Sequence, residues 1–279
     1  MTTADFPTQS LWADFWQETF GLLRRLFIQL KRRPTTLIAG VIQPLMWLVL
    51  FGALFQNAPQ GLFGEGISYG RFLGAGVIVF TAFSGALNAG LPVMFDREFG
   101  FLNRLLVAPL SSRFSIVMAS ALYIMVLTLI QTAAILLVSA ALGAGLPDLA
   151  GLGVIAGIVL LLVLGVTGLS LGLAFSLPGH IELIAAIFVA NLPLLFASTA
   201  LAPLSFMPGW LQWIASFNPL SYAIEPIRWI YLNPDWHWGD VILATPFAEV
   251  SFAAALGILF AFGAAALLLI QPALKRSLG

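Results

Sequence analysis

The sequence predicts an all-α integral membrane protein, folded as a single domain of six transmembrane helices over residues 1–279. Hydrophobic residues make up 60% of the chain, charged residues make up 9%, and the mean hydropathy is +1.00. An ordinary soluble domain has roughly 25% charged residues. The few charges leave six charge-free stretches, each longer than the about 20 apolar residues that a membrane-crossing helix needs. Because these stretches are continuously apolar, helices are favoured over the alternating strands of a membrane barrel.

An amphipathic helix is predicted first, over residues 8–33. At 100° per residue its aromatic and aliphatic side chains, among them Trp12, Phe15 and Trp16, fall on one arc, and its charged side chains fall opposite. Such a helix could pack on a soluble core, but the chain has no stretch able to build one. The pattern therefore predicts a helix in the inner membrane interface, with its basic end near anionic membrane lipid.

Six spans follow, and a long segment separates the last two. The predicted spans are 35–55, 72–94, 114–142, 151–175, 183–204 and 250–271. Residues 205–249 hold five of the eight tryptophans and two apolar runs, "GWLQWIASF" and "LSYAIEPIRWIYL". These runs are too short to cross a bilayer, so we expect re-entrant or interfacial helices at the outer surface. Two pairs of small residues, Gly153 with Gly157 and Gly168 with Gly172, are expected to pack helices together.

Lysine and arginine predict the orientation. With the N-terminus inside, ten of the twelve fall on cytoplasmic segments, and Arg71 and Arg228 fall outside. The chain is therefore predicted to be a multi-pass protein of the inner (plasma) membrane with both termini in the cytoplasm. The loop after the second span, residues 95–113, is then cytoplasmic as well.

The sequence offers few residue patterns that are suited to catalysis. The segment "GLSLG", Gly168–Gly172, matches the G-x-S-x-G pattern of a serine nucleophile, but that motif works on a strand-to-helix turn, and here it lies inside an apolar stretch. The two histidines, His180 and His237, are predicted on opposite sides of the membrane, so neither a serine triad with Ser170 nor a metal site is expected. The sequence has no G-x-x-x-x-G-K-[ST] phosphate loop. We predict a non-enzymatic chain with no cofactor and no metal, and its zero net charge does not favour nucleic acid.

Three amides, Asn88, Gln131 and Asn191, interrupt the predicted spans. Each could line a path through the membrane, although a buried amide bonded to a neighbouring helix is the favoured interpretation. No charge lies near the centre of a predicted span, which disfavours an ion-coupled carrier.

The loop "FDREFGFLNRLLVAPLSSR", residues 95–113, holds five of the chain's 24 charged residues. The sequence predicts a short helix that begins at Phe95, contains Gly100 and ends at Pro109. No oppositely charged pair in it is spaced at i,i+4, so its charges have no partners along the helix. Two interpretations are open: a solvated connector whose arginines bind lipid headgroups, or a contact surface for another protein.

Two motifs carry a resemblance to a known family. The segment "FDREFGFLNRLLVAPLSS" resembles the cytoplasmic loop of ABC-2 type transporter permeases, and "NPLSYAIEPIR", Asn218–Arg228, resembles the family's N-P-L-x-Y…R signature before the last span. The family loop often contains G-T-x-E, whereas this chain has Phe101 and Asn103 there. Any role of that second acidic residue is therefore not carried over.

The resemblance implies a site at each end of the bundle. At the cytoplasmic end, a coupling helix would dock into a cleft of an ATP-binding cassette subunit through Asp96, Arg97, Glu98, Phe99, Gly100, Leu102, Arg104 and Pro109. At the outer end, a re-entrant gate would be braced by Asn218, Pro219, Tyr222 and Arg228.

The resemblance also implies a function, that of the membrane permease subunit of an ATP-driven exporter for an amphiphilic, lipid-like, drug or glycan substrate. ATP and Mg²⁺ would bind to the partner ATPase, and the permease would pair with a second copy of itself or with a similar permease. Two alternatives come from other classes. One is an ion-coupled secondary transporter, which would work without an ATPase, and the other is a non-transporting membrane scaffold.

Overall fold

The computed structural model of the chain describes residues 11–55, 69–100 and 114–278. Most of these residues are helical, as the sequence predicts. The helices are α1 (Leu11–Arg32), α2 (Thr35–Leu54), α3 (Tyr69–Leu87), α4 (Gly90–Glu98), α5 (Phe114–Ser139), α6 (Leu149–Ser176), α7 (His180–Phe196), α8 (Gly209–Phe217), α9 (Pro219–Leu232) and α10 (Phe252–Leu278).

Short elements join some of these helices. A π-helical turn, Ala140–Ala144, continues α5, and a 3₁₀ turn, Leu204–Phe206, precedes α8. Two antiparallel strands, β1 (Val241–Ala244) and β2 (Glu249–Ser251), form a hairpin before α10. The sequence analysis did not predict this hairpin, since strands of four and three residues leave almost no periodic signal.

Five helical segments of the described chain are long and apolar enough to cross a membrane. They are Leu37–Leu54, Tyr69–Glu98, Phe114–Leu142, Leu149–Ser176 and Phe252–Pro272. The chain is therefore a multi-pass helical membrane protein. A further apolar helix, α7, has 17 residues and is shorter than these five.

The span predicted at 183–204 is wrong in its bounds, because α7 begins at His180 and ends at Phe196. Side chains from outside the helix bind its last carbonyl oxygens, which have no partner within the helix. The Ser198 hydroxyl donates to the carbonyl oxygen of Leu195, and the Asn218 amide donates to that of Leu194. These bonds end the helix about two turns earlier than hydropathy predicts.

Helix α6 packs closely along α10. A Cβ atom added at Gly165 would lie 2.9 Å from the Cα atom of Gly263, so the two backbones nearly touch there. Gly168 and Gly172 face Leu267 and Ile270 of α10, which confirms the predicted packing of that pair. The other pair, Gly153 with Gly157, does not pack against another helix of the described chain, since no atom of one lies within 4 Å of the added Cβ positions.

Helix α3 lies at the centre of the bundle, with most of its residues buried and with α2, α5, α6 and α9 packed around it. Helix α1 lies along α5, where Phe15 stacks on Phe114 and Phe27 meets Tyr123 edge-on. Trp12 and Phe20 of α1 remain exposed. The apolar arc predicted for the first helix therefore packs in part on the bundle and leaves two large aromatic side chains exposed.

Candidate functional site

Three charged side chains at the end of α4 form hydrogen bonds to residues of three other helices. The Arg25 guanidinium on α1 donates from Nη1 and Nη2 to both carboxylate oxygens of Asp96 on α4, at 3.1 Å each. Both side chains are about 30% exposed, at 31% and 29%. A bidentate ion pair of this kind fixes the orientation of the two side chains as well as their distance, so it holds α1 against the end of α4.

Arg97 points to the end of α6. Its Nη1 donates to the carbonyl oxygen of Ala174 at 2.8 Å, and its Nη2 donates to the carbonyl oxygens of Leu177 and Pro178. The last carbonyls of a helix lack partners within the helix and carry partial negative charge, so a guanidinium stabilises them. Arg97 therefore clamps the turn between α6 and α7 onto α4.

Glu98 completes this cluster at the start of α7. Its Oε1 accepts a hydrogen bond from the backbone N–H of His180 at 2.6 Å, and its Oε2 lies in hydrogen-bonding contact with His180 Nδ1. A carboxylate is favourable at a helix N-terminus, where backbone N–H groups are unpaired. A Cβ atom at Gly179 would lie 2.8 Å from Glu98 Oε1, so a residue without a side chain leaves room for the contact. We call Arg25, Asp96, Arg97, Glu98 and His180 the end cluster.

The helix predicted to begin at Phe95 and to contain Gly100 differs from the structure at both points. Phe95 lies within α4, which begins at Gly90 and ends at Glu98. Gly100 has φ +75°, a left-handed conformation that ends helices and that glycine adopts at little cost. Phe99 is 78% exposed just before it. The other predicted coupling residues, Leu102, Arg104 and Pro109, lie outside the described residues.

The second predicted span, 72–94, is broken between α3 and α4, and Ser170 of α6 bridges the break. Ser170 Oγ accepts from the backbone N–H of Gly90 at 2.9 Å and donates to the carbonyl oxygen of Leu87. A Cβ atom at Gly90 would lie 2.5 Å from the carbonyl oxygen of Ser170. Ser170 is fully buried, so its two hydrogen bonds stabilise the break. They give the serine of "GLSLG" a structural role, and a role as a nucleophile is not needed to explain it.

At the opposite end, Asn218 joins α7 to α9. Its Oδ1 caps α9 by accepting from the backbone N–H of Leu220 at 3.0 Å, and Pro219 fills the first helical position, where no N–H donor is needed. Its Nδ2 donates to the carbonyl oxygens of Leu194 and Ala197 at 2.7 and 2.6 Å. The side chain therefore satisfies the start of one helix and the end of another.

Tyr222 and Arg228 of α9 bind neighbouring segments. The Tyr222 hydroxyl donates to the carbonyl oxygen of Ser216 at 2.6 Å, which holds α8 against α9. The buried Arg228 guanidinium donates to Glu225 and, at 2.6 Å, to the carbonyl oxygen of Thr199, and it stacks 3.6 Å above the Phe72 ring. Arg228 therefore joins α9 to α3.

Sequence reasoning counted Arg228 as an outer charge and missed its burial. The available signal was Glu225, which lies one helical turn before it and forms its ion pair.

The three amides singled out in the sequence lie around one cavity between α2, α3, α5 and α7. Asn191 Oδ1 accepts from Ser84 Oγ at 3.1 Å, and Asn88 Nδ2 donates to the carbonyl oxygen of Ser84 at 2.7 Å. Gln131 Oε1 is buried and has no hydrogen-bond partner among the described residues. The bonded-amide interpretation holds for Asn191, whereas Asn88 bonds within its own helix.

Over the residues that the structure describes, no group of three or more histidine or acidic side chains could hold a metal ion. The fold defines a polytopic helical membrane protein. The chain belongs to the ABC-2 type transporter family, whose model matches residues 17–232. It is a membrane permease of the ABC transporter class.

Named relatives agree with this family. The chain is 54% identical over 262 residues to a protein of Porphyra purpurea named as transport permease ycf38, covering 94% of this chain and 90% of the relative. The protein of the same name from Cyanophora paradoxa is 54% identical over 261 residues, with the same two coverages. DrrC of Mycobacterium tuberculosis, named as a doxorubicin resistance ABC transporter permease, is 27% identical over 220 residues, 77% of this chain and 76% of the relative.

Proposed function

We propose that this chain forms the substrate pathway of an ATP-driven exporter and works with a separate ATP-binding cassette subunit that binds ATP and Mg²⁺. Two copies of the chain, or this chain and a similar permease, would form the membrane unit. Both termini would face the cytoplasm, α7 would complete a set of six spans, and α8 with α9 would form the outer re-entrant segment. The cargo would be an amphiphile.

The end cluster carries this proposal. It lies directly before residues 101–113, and it joins α4 to α1 through Asp96, to the end of α6 through Arg97 and to the start of α7 through Glu98. A displacement of the following loop would therefore act on three helices at once. A subunit that closes on ATP needs such a connection to move the spans.

The geometry favours a positioning role for the charges. Because Asp96, Arg97 and Glu98 are bonded within the chain, their task would be to transmit movement, whereas the exposed Phe99 ring is free to enter a cleft on the ATPase subunit. Membership of the ABC-2 type transporter family supports the association of this chain with an ATPase subunit. The DrrC relative is named as a doxorubicin resistance ABC transporter permease. Export of an amphiphile is consistent with that name.

The test uses the full chain, purified with its ATPase subunit and reconstituted in liposomes. Phe99→Ala should lower permease-dependent ATP hydrolysis several-fold, while membrane insertion and thermal unfolding of the permease stay unchanged. Phe206→Ala removes an equally large ring, 55% exposed, from the 3₁₀ turn near the opposite end and serves as the matched control.

Three results would contradict the proposal. Equal ATP hydrolysis by the two variants would remove Phe99 from the contact. Substrate flux in vesicles that contain the chain without an ATPase would favour the ion-coupled carrier, and absence of flux with an active ATPase would favour the scaffold.

A further inference from the structure

A cavity of about 370 Å³ lies between four helices of the bundle, within the size range of small-molecule sites. It is lined by Gly40, Gln43, Pro44, Phe80, Thr81, Ser84, Gly85, Asn88, Pro92, Tyr123, Ile124, Leu127, Gln131 and Asn191. Hydroxyl and amide groups stand among apolar side chains in this lining, and no lining residue is ionisable except the tyrosine.

One polar side chain of the cavity lining has an atom without a partner. Gln131 is 4% exposed, and its Oε1 has no hydrogen-bond partner in the described part of the chain. The atom lies beside Gly85, another lining residue, since a Cβ atom at Gly85 would be 3.8 Å from Gln131 Oε1. Buried polar atoms in folded proteins are nearly always hydrogen-bonded, so Gln131 Oε1 indicates an occupant.

The cavity is lined by residues of three helical segments that are long and apolar enough to cross a membrane. Asn191 follows the first residue of α7 by eleven positions, which corresponds to about 17 Å along the helix at 1.5 Å per residue. The rim of the cavity is open, because Gln43, Asn88 and Pro92 are exposed. Thr81 and Gln131 are buried and close the inner wall. A molecule could therefore enter from the side of the bundle with its polar part directed inward.

From these observations we infer that the cavity binds an amphiphile with an uncharged polar head rich in hydroxyl or carbonyl groups. The inference rests on the proposed permease function and names the class of molecule that the pathway takes. The unpartnered amide oxygen of Gln131 accepts hydrogen bonds, and the amide groups of Gln43 and Asn88 in the lining can bind hydroxyl or carbonyl groups. A charged head would lie at membrane depth without a counter-charge in the lining, which is strongly unfavourable.

Photocrosslinking of the purified full chain in lipid nanodiscs tests this inference. The probe is a monoacylglycerol with a diazirine in its acyl chain, and labelled peptides are identified by mass spectrometry. Labelling should map to α2 and α4, because Gln43 and Pro92 form the rim where the acyl chain would lie, and monoolein should compete with it. Oleate and lysophosphatidylcholine share the acyl chain but carry charges, so they should compete at least about tenfold less well.

A matched pair of variants tests the inner wall. Gly85→Ala fits without a clash and places a methyl group beside the unpartnered oxygen of Gln131, so it should weaken monoolein competition roughly fivefold, as expected for one lost hydrogen bond. Gly157→Ala makes the same change on α6, where the added Cβ has no neighbour within 4 Å, and it should leave competition unchanged. Gln131→Leu, which removes the amide, should act like Gly85→Ala.

Three outcomes overturn the inference. Equal competition by oleate would contradict a neutral head, labelling away from α2 and α4 would contradict the location, and unchanged competition in both Gly85→Ala and Gln131→Leu would indicate that the cavity holds only water. The experiment needs no ATPase. If labelling is not specific but the ATPase coupling is intact, only the cavity site is contradicted. If labelling is specific but no ATPase coupling is found, the cavity site stands and the proposed function is contradicted.

Discussion

The guanidinium of Arg25 and the carboxylate of Asp96 face each other as two parallel hydrogen bonds of 3.1 Å, across 71 residues of sequence. The pair fixes where the first helix meets the bundle. Partly exposed ion pairs contribute about 0.5–1 kcal/mol, so its main effect is on orientation and much less on total stability. Helix α1 would then move with α4 when the end cluster is displaced.

Reversing the charges of Arg25 and Asp96, singly and together, should separate the effect of the ion pair from the effect of each charge alone. Arg25→Glu or Asp96→Arg should weaken permease-dependent ATP hydrolysis, because like charges would then face each other. The double variant restores opposite charges and should recover most of the activity. Thermal unfolding of all four proteins should give a coupling energy of about 0.5–1 kcal/mol. Additive losses in the double variant would show that the two residues act independently.

Hydropathy located most of the membrane helices to within a few residues, because a long apolar run has few alternatives to a spanning helix. It failed at α7, where the end depends on Ser198 and Asn218 binding the last carbonyl oxygens. It also failed at Gly90, where a break in a continuous apolar run depends on Ser170 from another helix. Both errors come from contacts between residues that are distant in sequence.

The bonding of the charged residues at the end of α4 could not be predicted from the sequence. Local spacing correctly indicated that Asp96, Arg97 and Glu98 do not pair along their own helix. It could not show that the partners stand 71 to 82 residues away, at Arg25 and at the turn from α6 to α7. A helical projection carries no information at that range.

The Ser170 bridge gives a second prediction, about stability. Ser170→Ala keeps the packing but leaves the carbonyl oxygen of Leu87 and the N–H of Gly90 without their partner, so it should cost about 1–3 kcal/mol. Ser176→Ala is the control, because that hydroxyl is exposed and bonds to its own helix. Thermal unfolding in detergent micelles compares the two. Equal midpoints for both variants would mean that the break does not depend on Ser170.

The buried pair of Arg228 and Glu225 gives a third prediction, about charge burial. Arg228→Met should cost about 3–5 kcal/mol, because Glu225 would be left buried without its partner. Arg228→Met combined with Glu225→Gln removes both charges and should recover part of this loss. Arg228→Lys should be intermediate, since an ammonium group cannot reproduce the planar fork that reaches Glu225 and Thr199 together.

The measurement for this pair is thermal unfolding of the four proteins under one set of conditions. A double variant no more stable than Arg228→Met would show that the loss comes from the missing contacts with Phe72 and Thr199, with little contribution from an unpaired carboxylate.

Asp240, which follows α9 and precedes β1, gives a prediction about pH. Its carboxylate accepts hydrogen bonds from the backbone N–H of His237 and from Trp229 Nε1, at 2.8 Å each. These bonds, that of His237 first, hold the pKa of the Asp240 carboxyl below its usual value of 3.8. Because the folded-state pKa is the lower one, the unfolded chain takes up the proton first as the pH falls. The stabilisation by the carboxylate is therefore complete above pH 3.8 and is lost as the pH falls through the folded-state pKa.

Asp240→Asn tests this dependence, because the amide keeps the shape and loses the charge. The wild-type chain should unfold at a higher temperature than the variant at pH 7, and the difference should shrink steadily below pH 3.8. Asp235→Asn is the control, since it removes an exposed carboxylate from the same loop and should have little effect on unfolding at any pH. A difference between wild type and Asp240→Asn that persists unchanged below the folded-state pKa would contradict a role for the charge. The hydrogen-bonded shape of the side chain would then be what holds the loop to Trp229.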